Sequence, residues 1–151
     1  MYKESIQNFQ PTWNRINHFD DSLAIQLIKS APQYADQEEL KSADVAFHIV
    51  LGAKHTRPTD PIEYTVVYQN GSVQVHQGKV EHENTCLLQC IDYINPDGDI
   101  IYSAEYIFWS IFNGHMDPIG YAYNELIEVS NLKTLLTSMK LVGLFNLEGQ
   151  D

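Results

Sequence analysis

Basic residues are scarce in this chain. Nine lysines and arginines stand against twenty aspartates and glutamates, a formal net charge of −11. Phosphate binding needs clustered Lys and Arg, so the balance argues against nucleic acid as a partner and against steady attachment to an anionic membrane surface. Long apolar runs are missing as well. The strongest extends only from Tyr106 to Phe112, far short of the ~20 residues that span a bilayer, so no stable membrane insertion is expected. The opening residues, Met1 to Ser5, carry no apolar stretch and no small-residue cleavage pattern. That start predicts a cytoplasmic protein without a secretory signal.

Cysteine is equally sparse. Cys86 and Cys90 are too few for a disulfide framework. On one strand they stand roughly 13 Å apart at ~3.3 Å per residue, beyond the about 7 Å between α-carbons that a disulfide tolerates. Buried structural thiols are the expectation. No Gly-x-Ser-x-Gly elbow and no phosphate-cradling glycine loop occurs, since Gly71 and Gly78 are isolated. Six histidines are present, yet none has a close ligand spacing. His76 and His82 beside Glu81 and Glu83 come nearest, and they read as a solvated loop. Carboxylate pairs such as Asp97 with Asp99, or Glu125 with Glu128, are what chance gives on so acidic a chain. No catalytic residues, metal or cofactor are therefore expected.

What is present is ordinary globular material: 44% hydrophobic and 19% charged residues, with a length that suits one domain. Residues 1–43 read as a helical N-terminal cover. Asp20 or Asp21 can cap a helix holding Leu23, Ile25, Leu27 and Ile28, which ends before Pro32, and a short helix follows from Gln37 to Lys41. From Asp44 the period changes to two. Val45, Phe47, Ile49 and Leu51 alternate with Ala46, His48 and Val50, and Ile62 to Tyr68 alternates in the same way. Asn70-Gly71 predicts a hairpin turn, because a type I′ turn needs positive φ at both central residues. Val73 and Val75 carry the returning strand, and Thr85 to Ile91 is a further one. Asn95 to Asp99 is a turn by composition. Ala53 to Pro61, with Lys54, His55 and Arg57, is a polar loop and the only locally basic spot. These elements predict an α+β fold: an antiparallel sheet of four or five strands covered by helices.

The sequence is organised around Ile100 to Phe145. Ser103 is positioned to cap a helix whose Ile107, Phe108, Ile111 and Phe112 share a face. Gly114 can end it, and Asp117-Pro118 starts a new helical turn. Glu125 to Val129 reads as a short strand. A last helix from Ser130 or Asn131 carries Leu132, Leu135, Leu136, Met139, Val142 and Phe145 on one side. Met is unbranched and adaptable, which suits an irregular apolar surface.

The order helix, Gly, Asp-Pro, helix, strand, Leu-rich helix resembles the sterol carrier protein family. It is carried by Glu105-Tyr106, Trp109, Gly114, Asp117-Pro118, Asn131-Leu132 and Leu135-Leu136, and the hairpin at Asn70-Gly71 fits the same pattern. The resemblance covers Val45 to Phe145, about two-thirds of the chain. The chain departs from the family at Asn124-Glu125 and Ser130-Asn131, where many members have Gly-Lys-rich and Gly-Asp steps, and it carries extra residues from Asp92 to Asp99. The resemblance implies a non-enzymatic protein that holds a fatty acid, acyl chain or sterol-like molecule between the sheet and the C-terminal helices. The ligand-binding residues then expected are Phe108, Phe112, Met116, Ile119, Leu135, Leu136, Met139 and Val142. The alternative, resting on charge alone, is an acidic interaction protein of inhibitor or immunity type with a filled core and a basic protein partner. A homodimer is compatible with either.

Overall fold

The computed structural model describes residues 19–53, 55–112 and 125–142. Residues 1–18, Gly114, the Asp117-Pro118 turn and Phe145 lie outside the described residues.

Helix α1 (Ser22–Lys29), α2 (Ala31–Tyr34) and α3 (Gln37–Leu40) come first. Pro32 falls in the first turn of α2, where its missing N–H would have had no intrahelical partner in any case. Asp36 caps α3, its Oδ1 accepting from the Glu38 and Glu39 N–H groups at 3.0 and 3.1 Å. Ala24, Leu27 and Ile28 form the buried side of α1.

Strands β1 (Asp44–Leu51), β2 (Ile62–Gln69), β3 (Ser72–Gln77) and β4 (Thr85–Cys90) follow. A small ladder of β5 (Tyr93–Ile94) and β6 (Ile100–Tyr102) then leads into α4 (Ala104–Phe112). Strand β7 (Ile127–Val129) and helices α5 (Leu132–Thr137) and α6 (Met139–Val142) close the described chain. The main sheet has the order β3-β2-β1-β4-β7. Asn70 and Gly71 have φ of 55° and 73°, so the β2–β3 turn is the type I′ form that its sequence specifies.

The sheet is mixed, which corrects the antiparallel meander expected from the sequence. Strand β4 runs parallel to β1, with Ala46 opposite Thr85 and Leu51 opposite Cys90. The reason lies in the link from β3 to β4. Strand β3 ends beside the start of β2, yet β4 begins beside the start of β1, so residues 78–84 must return along the sheet instead of turning back as a hairpin. Thr65 anchors that strap: its Oγ1 donates to the Gly78 carbonyl at 2.8 Å and accepts from the Val80 N–H at 3.0 Å. Farther on, Asn84 Nδ2 donates to the Asp44 carbonyl, and the Ala46 N–H donates to the Asn84 carbonyl. Thr65 and Ala46 are fully buried although they belong to the face opposite the helices.

On the helix-facing side the alternation holds as read. Val45, Phe47, Ile49 and Leu51 join Tyr64, Val66, Tyr68, Cys86, Leu88 and Cys90 in one core with α1 and α4. Both cysteines are free and buried. Ser103 caps α4, accepting from the Tyr106 N–H at 3.1 Å. The turn after β5 closes on Asn95, whose Oδ1 accepts from the N–H groups of Asp97 and Asp99. The last helix is broken: α5 ends at Thr137, and α6 restarts at Met139.

Candidate functional site

Two built features stand out, one apolar and one ionic. The apolar feature lies where the helices meet the sheet. Phe47, Ile49, Val66, Tyr68 and Leu88 rise from three neighbouring strands. Leu27, Ile28, Ala31, Phe108, Phe112 and Val142 face them from α1, α2, α4 and α6. Between them is a cavity of about 20 Å³. That exceeds the ~10–15 Å³ that one water needs, but water also needs two or more polar partners. The lining is almost wholly hydrocarbon and offers a water no such partners. Phe108 and Phe112 form part of one wall with ring centroids 4.8 Å apart. Phe47 meets Tyr68 edge to face at 5.9 Å. Burial pushes the Tyr68 phenol well above its ordinary range.

Of the side chains expected to line a ligand site, Phe108, Phe112 and Val142 are brought together at this cavity. Leu135 is fully buried but outside the lining, and Leu136 is 37% exposed. Met116 and Ile119 lie outside the described residues, as does the side chain of Met139. The sheet and α1 residues of the lining were legible only as core, because periodicity says which side of a strand is buried and not whether a space remains there.

The ionic feature was missed by sequence reasoning. Arg57, in the loop after β1, turns inward. Its Nε donates to Asp92 Oδ2 at 2.8 Å and one terminal nitrogen donates to Asp92 Oδ1. The fork of both terminal nitrogens grips Glu105 at 2.8 and 3.0 Å. The Asp92 side chain has no exposure, Glu105 has 5% and Arg57 has 15%. Asp92 also accepts from Thr56 Oγ1 and from the Ala104 N–H at the start of α4, where a negative charge suits the helix dipole. Gly52, at φ 103°, leaves the room: a Cβ there would come within 2.8 Å of Arg57 Nε. No local pattern announces this cluster, since its members lie 35 and 48 positions apart in sequence. The one usable sign was a pair of carboxylates, Asp92 and Glu105, inside otherwise apolar segments.

No protein-family model matches the chain, and no curated protein matches it either.

The cluster is a structural ion network. Its donors and acceptors are consumed by one another, and it ties the β1–β2 loop, the end of β4 and α4 into one unit. Burial raises the Asp92 carboxyl, but the Arg57 and Ala104 hydrogen bonds and the Arg57 charge outweigh it and hold the group below its ordinary 3.8. The unfolded chain then binds more protons than the folded one as pH falls through that window, so stability falls with pH there. We expect the urea midpoint to be steady above about pH 5 and to drop below about pH 4, with Asp92→Asn flattening the acid limb. Asp21 works in the opposite sense. Burial and the Glu105 charge raise its carboxyl, while Ser103 donates to it at 2.9 Å.

Among the described residues, two histidine–carboxylate pairs lie elsewhere: His48 with Glu63 at 2.7 Å and His82 with Asp44 at 2.8 Å. Among the described residues, no three His, Cys, Asp or Glu side chains gather as a metal site would require. None of the described helices is long and apolar enough to cross a membrane.

Proposed function

We propose that the protein is a non-enzymatic binder of an apolar small molecule, such as a fatty acyl chain, held between the sheet and the C-terminal helices as in a sterol-carrier-type domain. The observation that carries this reading is the apolar cavity walled by Phe108, Phe112 and Val142 over Phe47, Ile49 and Leu88. The ionic network is fully engaged away from it, so no charge has to be stripped of its partner when a guest arrives. At about 20 Å³ the space holds no acyl chain as it stands. A guest must part the wall, and Phe112 and Val142 are the wall residues at the C-terminal ends of their helices. Each methylene transferred from water contributes ~0.8 kcal/mol, so a long chain can offset the cost of displacing two side chains. Denaturing freshly purified protein should release a lipid detectable by mass spectrometry, and stripped protein should take up a fluorescent fatty acid saturably. Protein that carries no lipid and shows no saturable uptake contradicts the reading.

The acidic-interaction reading draws on one observation. Arg57, from the only locally basic loop, is turned inward onto Asp92 and Glu105, so the buried cluster takes only one net negative charge out of the −11 and the rest of the chain stays strongly acidic. Capture of a basic protein that high salt releases is the result that favours it.

A further inference from the structure

The two edges of the main sheet are built differently. Strand β7 is three residues long, carries Glu128 at its centre and follows Glu125, whose φ is 62°. Short length and charge are the usual ways of keeping an edge from pairing with another chain. Strand β3 has neither. It is six residues long, contains no proline or bulge, and pairs with β2 in unbroken register from Tyr64–Gln77 to Gln69–Ser72. On a chain of net charge −11, no Asp, Glu, Lys or Arg occurs from Tyr64 to Gly78.

The hydrogen-bond phase of β3 can be read from the hairpin. The Gly78 N–H donates to the Glu63 carbonyl, so Gly78 and, by alternation, His76, Gln74 and Ser72 turn their backbone groups toward β2. Val73, Val75 and Gln77 therefore turn theirs outward. Among the described residues, no group bonds to those outward N–H and C=O groups.

We infer that β3 is a self-association edge, and that its partner is β3 of a second copy of this chain, paired antiparallel about a two-fold axis at Val75. That register places Val75 opposite the partner's Val75, and Val73 opposite the partner's Gln77. All three outward residues then exchange both of their hydrogen bonds. Gln74 falls opposite the partner's His76, a polar pair able to hydrogen-bond across the strands. No like charges oppose each other anywhere along the strand, which is the requirement a self-complementary interface must meet. The rest of each surface is acidic, so salt strengthens this dimer by screening repulsion. Charge-driven capture of a basic partner has the opposite salt dependence.

Sedimentation of the full chain should show mass rising from 17.3 kDa toward twice that value with concentration, and more so at high salt. Val75→Cys should form a covalent dimer on mild oxidation, because hydrogen-bonded antiparallel partners stand about 5.5 Å apart at the α-carbon, within disulfide reach. Ser72→Cys, about 20 Å from its own symmetry mate in this register, should not. Gln77→Pro, at an exposed position of the same outward-facing set, removes an outward N–H without touching a buried side chain and should leave a folded monomer. A mass fixed at that of one chain across concentration and salt overturns the inference. So does a dimer in which Val75→Cys cross-links no better than Ser72→Cys.

Discussion

Arg57→Ala should be the most damaging single substitution among the charged residues, lowering the free energy of unfolding by about 3–5 kcal/mol. The physical reason is what is left behind. Asp92 and Glu105 have side chains 0% and 5% exposed, and without the guanidinium two carboxylates face each other with few donors. Removing one member of a buried ion group costs far more than the group contributes as a whole. Arg57→Met with Asp92→Asn and Glu105→Gln should therefore be closer to the parent than Arg57→Ala is. For domains stable by ~5–15 kcal/mol, the single change approaches the threshold of folding. Urea unfolding of the single and triple variants tests this, and the idea fails if the triple variant is the less stable of the two. Arg57→Lys is not a conservative control, because an ammonium cannot present the two edges that Asp92 and Glu105 each engage.

The contrast between this cluster and the hairpin shows where sequence reading reaches and where it stops. Asn70-Gly71, Ser103 and Asn95 each act on neighbours within a few positions, and all three were visible as residue types at a spacing. The strand faces were visible for the same reason: Phe47 and Ile49 are buried because they alternate with His48 and Val50. The partner of a strand is a different matter. Period two is the same in parallel and antiparallel pairing, so nothing in Thr85 to Cys90 told of its parallel alignment with β1. A strap of residues 78–84 that reads as polar loop was what decided it. Arg57 was invisible in a related way, since a basic residue in a loop looks solvated until its partners arrive from β4 and α4. The candidate cavity was legible in part. Phe108, Phe112 and Val142 follow from helical period, but the volume they enclose depends on how well ten or so side chains interlock, which pattern alone does not encode.

That interlocking can be measured. Phe108 is 1% exposed and its ring lies 4.8 Å from that of Phe112, so Phe108→Ala should cost about 3–5 kcal/mol through lost transfer energy and the void left behind. The enlarged space is apolar and should stay dry, which makes it a receptor for a flat hydrocarbon such as benzene. Benzene at a hundredfold excess over its dissociation constant would return about 2.7 kcal/mol to the variant. The parent protein, with about 20 Å³ at that place, has no room for the ring and should not respond to it. A long-chain fatty acid separates the two readings of the same wall. If the parent melts higher with the fatty acid yet ignores benzene, the wall opens for a guest that contributes enough methylenes to displace Phe112 and Val142. If benzene rescues Phe108→Ala while the parent is indifferent to both compounds, Phe108 is core packing and the proposed binding function is wrong.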